Sequence, residues 1–205
     1  MSFVILPLEI CVEIDDLIYT IREIISDVAI ETEQDSDLYS IVSVDNSAGY
    51  NSVIDSLYML EDTQLAKHAF LIRCESLSIG ELYLYFYGVF NAIYMQQQAL
   101  LVILRKMGIE FNPKALRECT IFDLRNSFAA HGANRGGRDV KEHSFILDRH
   151  ALQTGKVSGY SANHESGFMS HDYHISDLIS DWDITLLAHI ELIHDRVREN
   201  SELTI

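Results

Sequence analysis

The sequence predicts a mainly α fold, a helical bundle with a small β-hairpin insertion late in the chain. Three observations predict it. Apolar residues recur at helical spacing over long stretches, only Pro7 and Pro113 interrupt them, and the period shifts to strand-like alternation after about residue 142. Apolar residues make up 48% of the 205, enough for a sizeable core. The length fits one domain, residues 1–205, with an elaboration at about 143–173.

Residues 8–30 carry a stripe of Ile10, Ile14, Leu17, Ile18, Ile21, Ile25 and Val28, which predicts a long amphipathic helix with Pro7 near its first turn. Residues 31–49 are polar and read as a loop or a short helix. Residues 50–75 read as one kinked helix or two consecutive ones. Residues 79–107 are apolar nearly all round their first half, which predicts a central helix buried on several sides, closed by Gly108. Within it, Gln96, Gln97 and Gln98 fit a solvated face plus one satisfied buried amide, and the run from Tyr83 to Tyr94 fits core or dimer interface. Residues 114–131 predict a helix preceded by Pro113 and stopped at Gly132, followed by a Gly- and charge-rich loop over 132–142. HSFILDRHAL and KVSGYSA flank QTG as a β-hairpin, and FMSHDYH is a candidate third strand. A helical pattern returns from Ser176 to Leu203.

The chain holds 15 Lys+Arg against 31 Asp+Glu, a net charge of −16, which on average repels nucleic acid and anionic membranes. The charge is unevenly spread. Residues 105–156 hold ten Lys+Arg and six acids, a local +4, leaving five Lys+Arg and 25 acids, or −20, elsewhere. Cys11, Cys74 and Cys119 form neither a metal pattern nor a disulfide framework and read as reduced thiols of a cytoplasmic protein. The N-terminal stretch lacks the pattern of a targeting signal, and no run of about 18 apolar residues marks a membrane span.

The segment IFDLRNSFAAHGANR, residues 121–135, gathers Arg125, Asn126, His131 and Arg135, with Arg138 just beyond. RNSFAAHG, together with YGVFNAIYMQQQALLVIL upstream, resembles HEPN domains, a helical-bundle superfamily in which many members carry an Arg, a polar residue and then a His four to six positions after the Arg. Here these are Arg125, Asn126 and His131, and the resemblance spans about residues 55–131, with the last helix matching loosely. It implies a HEPN-like helical bundle and a homodimer whose paired motifs meet at the interface. In catalytic members it also implies metal-independent RNA cleavage, without a cofactor or metal. Toxins or defence effectors held by a small partner protein or antitoxin are the biological setting it implies; some members are not nucleases.

The residue types suit that chemistry. His titrates near working pH and can carry a proton, Arg offers a permanently charged fork to phosphate oxygens, and Asn adds hydrogen bonds without charge. In a straight α-helix Arg125 and His131 would point about 120° apart, so either the helix breaks before His131 or Arg125 reaches across, and a two-fold axis nearby would also bring one chain's Arg to the other's His. Arg135, Arg138, Arg117 and Lys114 are candidate RNA-backbone contacts. Each residue also has a purely structural account: Arg125 paired with Asp123 or a distant acid, His131 compatible with a helix C-terminus, Asn126 on a backbone group. The six histidines between 131 and 174 have irregular spacing and read as exposed rather than metal-binding. Glu13, Asp15 and Asp16 read as a solvated helix face. Two functions remain open on sequence: a HEPN-type endoribonuclease, or a non-catalytic dimeric module that binds a nucleotide or a partner protein.

Overall fold

The computed structural model describes residues 5–32, 34–72, 77–130, 143–163 and 167–204. Most of them are helical, with one small antiparallel sheet. Helix α1 (Ile5–Glu31) buries Ile14, Ile18, Ile21, Ile25 and Val28 along the stripe its sequence predicts. A short α2 (Asp35–Ile41) follows, and α3 (Ser47–Leu71) runs as one helix from an Asn46 cap whose Oδ1 accepts from Gly49 N at 2.9 Å. The central α4 (Ile79–Lys106) opens on a reciprocal box in which Ser78 and Glu81 satisfy each other's end of the helix, and the hydrogen bonds from Ser78 hold the Glu81 carboxyl below its ordinary range. Gly108, at φ +62°, lets the chain turn away where α4 ends, and Arg196 donates to the Met107 carbonyl there at 3.3 Å.

The predicted helix over 114–131 is interrupted. Pro113 opens a short α5 (Pro113–Arg117), capped by Asn112, and after Glu118 and Cys119 comes α6 (Thr120–Leu124). The chain then passes directly into a π-helical turn, Arg125–Ala130. Residues 131–142 lie outside the described part, among them His131, Gly132 and the predicted loop.

Strands β1 (His143–Leu147), β2 (Lys156–Asn163) and β3 (Gly167–His174) make an antiparallel meander, so the third strand is present. The hairpin between β1 and β2 differs from the predicted one. RHALQ folds as α7 (Arg149–Gln153) instead of continuing the strand, because Asp148 accepts from His150 N at 2.8 Å and caps a helical turn. Helix α8 (Ile175–Thr204) completes the chain. Its Asn200 amide donates to the carbonyls of Ser40 and Ile41 and to Ser43 Oγ, pinning the end of α2.

Helix α1 packs along α8, α3 packs along α4, α1 also meets α3, and α4 meets α8, which closes a four-helix core. Trp182, Phe86, Phe90, Leu100, Leu104, Leu186 and Ile190 fill it. Inside this apolar packing runs a polar chain. Trp182 Nε1 donates to Gln96 Oε1 (3.0 Å), Gln96 donates to Gln64 Oε1 (2.8 Å), and Gln64 donates to the Cys11 carbonyl (3.1 Å). Gln97 is buried too and donates to the Leu116 carbonyl (2.7 Å), so two of the three glutamines are satisfied core amides and only Gln98 is exposed. Beside this chain, Lys67 of α3 and Asp183 of α8 form an ion pair whose side chains are both fully buried. Near it Asp15 lies half-buried rather than on a solvated face, 2.7 Å from His68 Nε2. Glu13 and Asp16 are exposed as predicted. Burial pushes the Cys11 thiol up to about 12, so it stays protonated at neutral pH; Cys119 is half-buried and Cys74 lies outside the described residues.

Desolvation raises the Asp183 carboxyl above its ordinary range, against the downward pull of Lys67. Lys67→Met leaves that carboxylate buried and unpaired, and urea unfolding at pH 7 should show a loss of roughly 3–5 kcal/mol. Lys67→Met/Asp183→Leu should recover most of it, because no buried charge remains. A carboxyl with a raised folded-state pKa stabilises most when protonated. The deficit of Lys67→Met relative to wild type should therefore shrink as pH is lowered and the Asp183 carboxyl takes up a proton.

Candidate functional site at the π-helical turn

Arg125 begins the π-helical turn, where i→i+5 hydrogen bonds replace the α-helical pattern. The 100° per residue of an α-helix does not hold across it, so the predicted 120° separation of Arg125 and His131 does not apply. The α-helix gives way to the π turn at Arg125, before residue 131.

The Arg125 side chain is half-buried and held on three sides. One guanidinium nitrogen donates to Asn126 Oδ1 at 3.0 Å, and the other donates to Asn91 Oδ1 at 3.2 Å. The guanidinium carbon lies 4.1 Å from the centre of the Tyr94 ring. Among the described residues, its hydrogen-bond acceptors are two neutral amide oxygens, not the Asp123 carboxylate that a purely structural account would use. The fork is oriented without a carboxylate in those hydrogen bonds to cancel its charge. Asn126 uses its oxygen on Arg125, which leaves its amide N–H groups as the donors it can offer a ligand.

Two of the three groups that hold Arg125, Asn91 and Tyr94, stand three positions apart on α4 and were not assigned to the site from sequence. The available signal was Asn91 itself, a polar residue in the apolar run YGVFNAIYM. The remaining sequence-predicted residues are not brought to Arg125. Arg117 and Lys114 lie on α5, separated from the π turn by a break, and both are exposed; Lys114 pairs with Glu118 at 3.7 Å. His131, Arg135 and Arg138 lie outside the described residues.

The π turn is fixed from its far side. Ser127 and Phe128 are buried, and the Phe128 ring meets His171 of β3 edge-on, 5.6 Å between centroids. The Phe128 ring fits because β2 has Gly159 opposite it. A Cβ at 159 would stand 2.3 Å from the Ile146 carbonyl oxygen and 2.8 Å from Phe128 Cε1. The sheet therefore braces the motif turn, which gives the late β elaboration a structural role. Among the described residues, no cluster of three or more His, Cys, Asp or Glu side chains is placed to hold a metal ion.

Gly159→Ala should cost about 1–3 kcal/mol by overpacking, read as a lower urea midpoint at unchanged slope. Phe128→Ala made in the Gly159→Ala background should cost less than Phe128→Ala made in wild type, because removing the ring also removes the clash that the added methyl makes with it; additive costs would show that Phe128 is not braced there.

Compared with family models, with curated proteins and with solved structures, the chain gives no significant match, so the functional reading rests on these side chains.

Proposed function

We propose that the protein is a HEPN-like, metal-independent endoribonuclease that works as a homodimer, with Arg125, Asn126 and His131 at its site. The observation that carries this reading is Arg125 itself, a half-buried guanidinium aimed by Asn91, Asn126 and Tyr94 through neutral contacts. A structural arginine on a protein of net charge −16 has carboxylates in abundance to pair with, and this one is hydrogen-bonded to amides instead. A phosphate would supply the negative charge that its hydrogen bonds among the described residues do not, gripped by the guanidinium and by the Asn126 amide.

In the reaction the ribose 2′-oxygen attacks its own phosphorus and the bond from phosphorus to the 5′-oxygen breaks. The 2′-OH proton goes to a base and the departing 5′-oxygen takes a proton from an acid, leaving a 2′,3′-cyclic phosphate and a 5′-hydroxyl. His131, six positions after Arg125, is the proton-handling group, and a dimer supplies two of them for the two transfers. Arg125 neutralises charge that builds on the phosphate oxygens. Arg135 and Arg138, four and seven positions after His131 in the local cationic window, are its proposed RNA-backbone contacts.

One face of α4 supports the dimer. Leu84, the adjacent Tyr87 and Gly88, Asn91 and Met95 recur at helical spacing along one face and are all exposed, Leu84 at 70%. A Cβ at Gly88 would meet nothing within 4 Å, so a second helix can approach closely there. Asn91 belongs both to this stripe and to the Arg125 contacts, so a copy docked on α4 brings the two sites together. A toxin or defence-like role, restrained by a small partner protein, is the setting that this activity fits.

Cleavage of a mixed RNA pool in EDTA should yield cyclic-phosphate ends. His131→Ala should lose about 10²–10⁴-fold in rate and Arg125→Ala about 10²–10³-fold. A folded dimeric wild type that binds RNA or nucleotide through Arg125 without cutting would instead establish the non-catalytic binding module, which the acidic surface favours. Leu84→Glu/Gly88→Arg should sediment as a monomer while unfolding at the wild-type temperature, and should lose cleavage with it; a dimer that survives both substitutions overturns the α4 interface.

A further inference from the structure

A concave site lies between α1 and α3, away from the Arg125 contacts. It is a cavity of about 340 Å³ whose walls include Tyr19, Arg22, Glu23, Tyr50, Tyr58 and Glu61. Its polar character is one-sided. Arg22 is ion-paired with Glu61, and its guanidinium lies 4.3 Å from the centre of the Tyr58 ring. That contact shows what the wall accommodates: a cation held between a tyrosine face and a carboxylate. With Arg22 matched by Glu61, Glu23 remains as a negative charge on the wall.

The surroundings extend this pattern. Asp16, Tyr19, Glu23 and Asp27 follow one another along α1 at spacings of three, four and four, and all four are exposed. Asp55, Tyr58 and Asp62 do the same along α3. Each helix thus carries a stripe in which a cavity-lining tyrosine is flanked by carboxylates. Residues 1–66 hold 14 acids and a single Lys or Arg, Arg22 itself. An anionic ligand would meet this field at a loss, while a cation gains from it. The carboxylates run well past a cavity with room for one or two side chains, so a lone small amine would leave most of them unused.

We propose that the α1–α3 cleft docks a basic extended segment of a partner protein, which inserts an Arg or Lys side chain among the tyrosines and lays further cations along the two acidic stripes. The site shares no residue with the proposed ribonuclease site, so either can fail without the other.

The test is fluorescence anisotropy with a labelled 12-residue peptide of alternating Arg and Ser, an alternating Glu and Ser peptide as the negative control, and arginine amide as the small cation. Wild type is compared with Tyr19→Ala, Glu23→Gln and Glu191→Gln, the last removing one exposed carboxylate from α8. Tyr19 is 64% exposed, so its truncation should leave the thermal midpoint unchanged. The expected result is binding of the Arg peptide alone, weakened about three- to tenfold by Tyr19→Ala, weakened also by Glu23→Gln, and within twofold of wild type for Glu191→Gln. Equal losses for Glu23→Gln and Glu191→Gln with no effect of Tyr19→Ala would mean diffuse attraction and overturn the site. Arginine amide binding as tightly as the peptide would overturn the extended partner.

Discussion

The ion pair between Lys67 and Asp183 is the constraint around which the bundle is arranged. Both side chains are fully buried, and a charge in that position is tolerated only while its partner faces it. Lys67 belongs to α3 and Asp183 to α8, so the pair sets how these two helices sit relative to one another. The neighbouring chain from Trp182 through Gln96 and Gln64 to the Cys11 carbonyl adds α4 and α1 to the same register. Hydrophobic contacts alone would let aliphatic side chains slide past each other with small loss. A directional bond left unmade in the core costs about 1–3 kcal/mol, so this network disfavours shifted packings beyond what it adds to stability.

That register reaches the candidate site through two contacts. Gln97, next to Gln96, holds the Leu116 carbonyl at the end of α5. Trp182, next to Asp183, receives Phe122 of α6 edge-on at 5.0 Å. The segment from Pro113 to Leu124 is thus tied to α4 and α8 at adjacent residues of the core network. Beyond it the sheet takes over, with Phe128 seated over Gly159 and beside His171. Arg125 falls between these two anchors, facing Asn91 and Tyr94 on α4. Its position is a consequence of core packing on one side and sheet packing on the other, and a π-helical turn takes up the difference in length between them.

Much of the architecture was legible because it depends on local pattern. The α1 stripe, the apolar α4, Gly108 and the last helix all follow from periodicity and end signals within a few residues. The break between α5 and α6 was not, since Pro113 suits the first turn of a longer helix equally well. The π turn depends on the fit of Phe128 against a strand that comes some thirty residues later, and nothing within RNSFAA announces it. Lys67 and Asp183 stand 116 residues apart, so each reads alone as a surface charge. Of the three adjacent α4 glutamines, one was expected to be buried and two are, because the carbonyl that Gln97 holds comes within reach only when α5 folds back. At the site, Arg125 and Asn126 were legible from their spacing in the motif, whereas Asn91 and Tyr94 required the α4 face to be known.

The distribution of charge ties the two surfaces into one physical picture. An acidic protein that must hold a phosphate has to separate its cation from its carboxylates, or the cation is neutralised internally. Here the separation is made by hydrogen-bonding Arg125 to amides and resting it on a tyrosine ring, with the densest acidic run, residues 1–66, placed on α1, α2 and α3. Arg22, inside that run, meets the opposite fate: it pairs with Glu61 and also lies against a tyrosine. The two arginines share an aromatic contact and differ in their hydrogen-bonding neighbours, amides for one and a carboxylate for the other. On the proposed readings that difference would direct an anion to the π turn and a cation to the α1–α3 cleft, because a charge that the described residues leave without an opposite charge is the one a ligand can still satisfy.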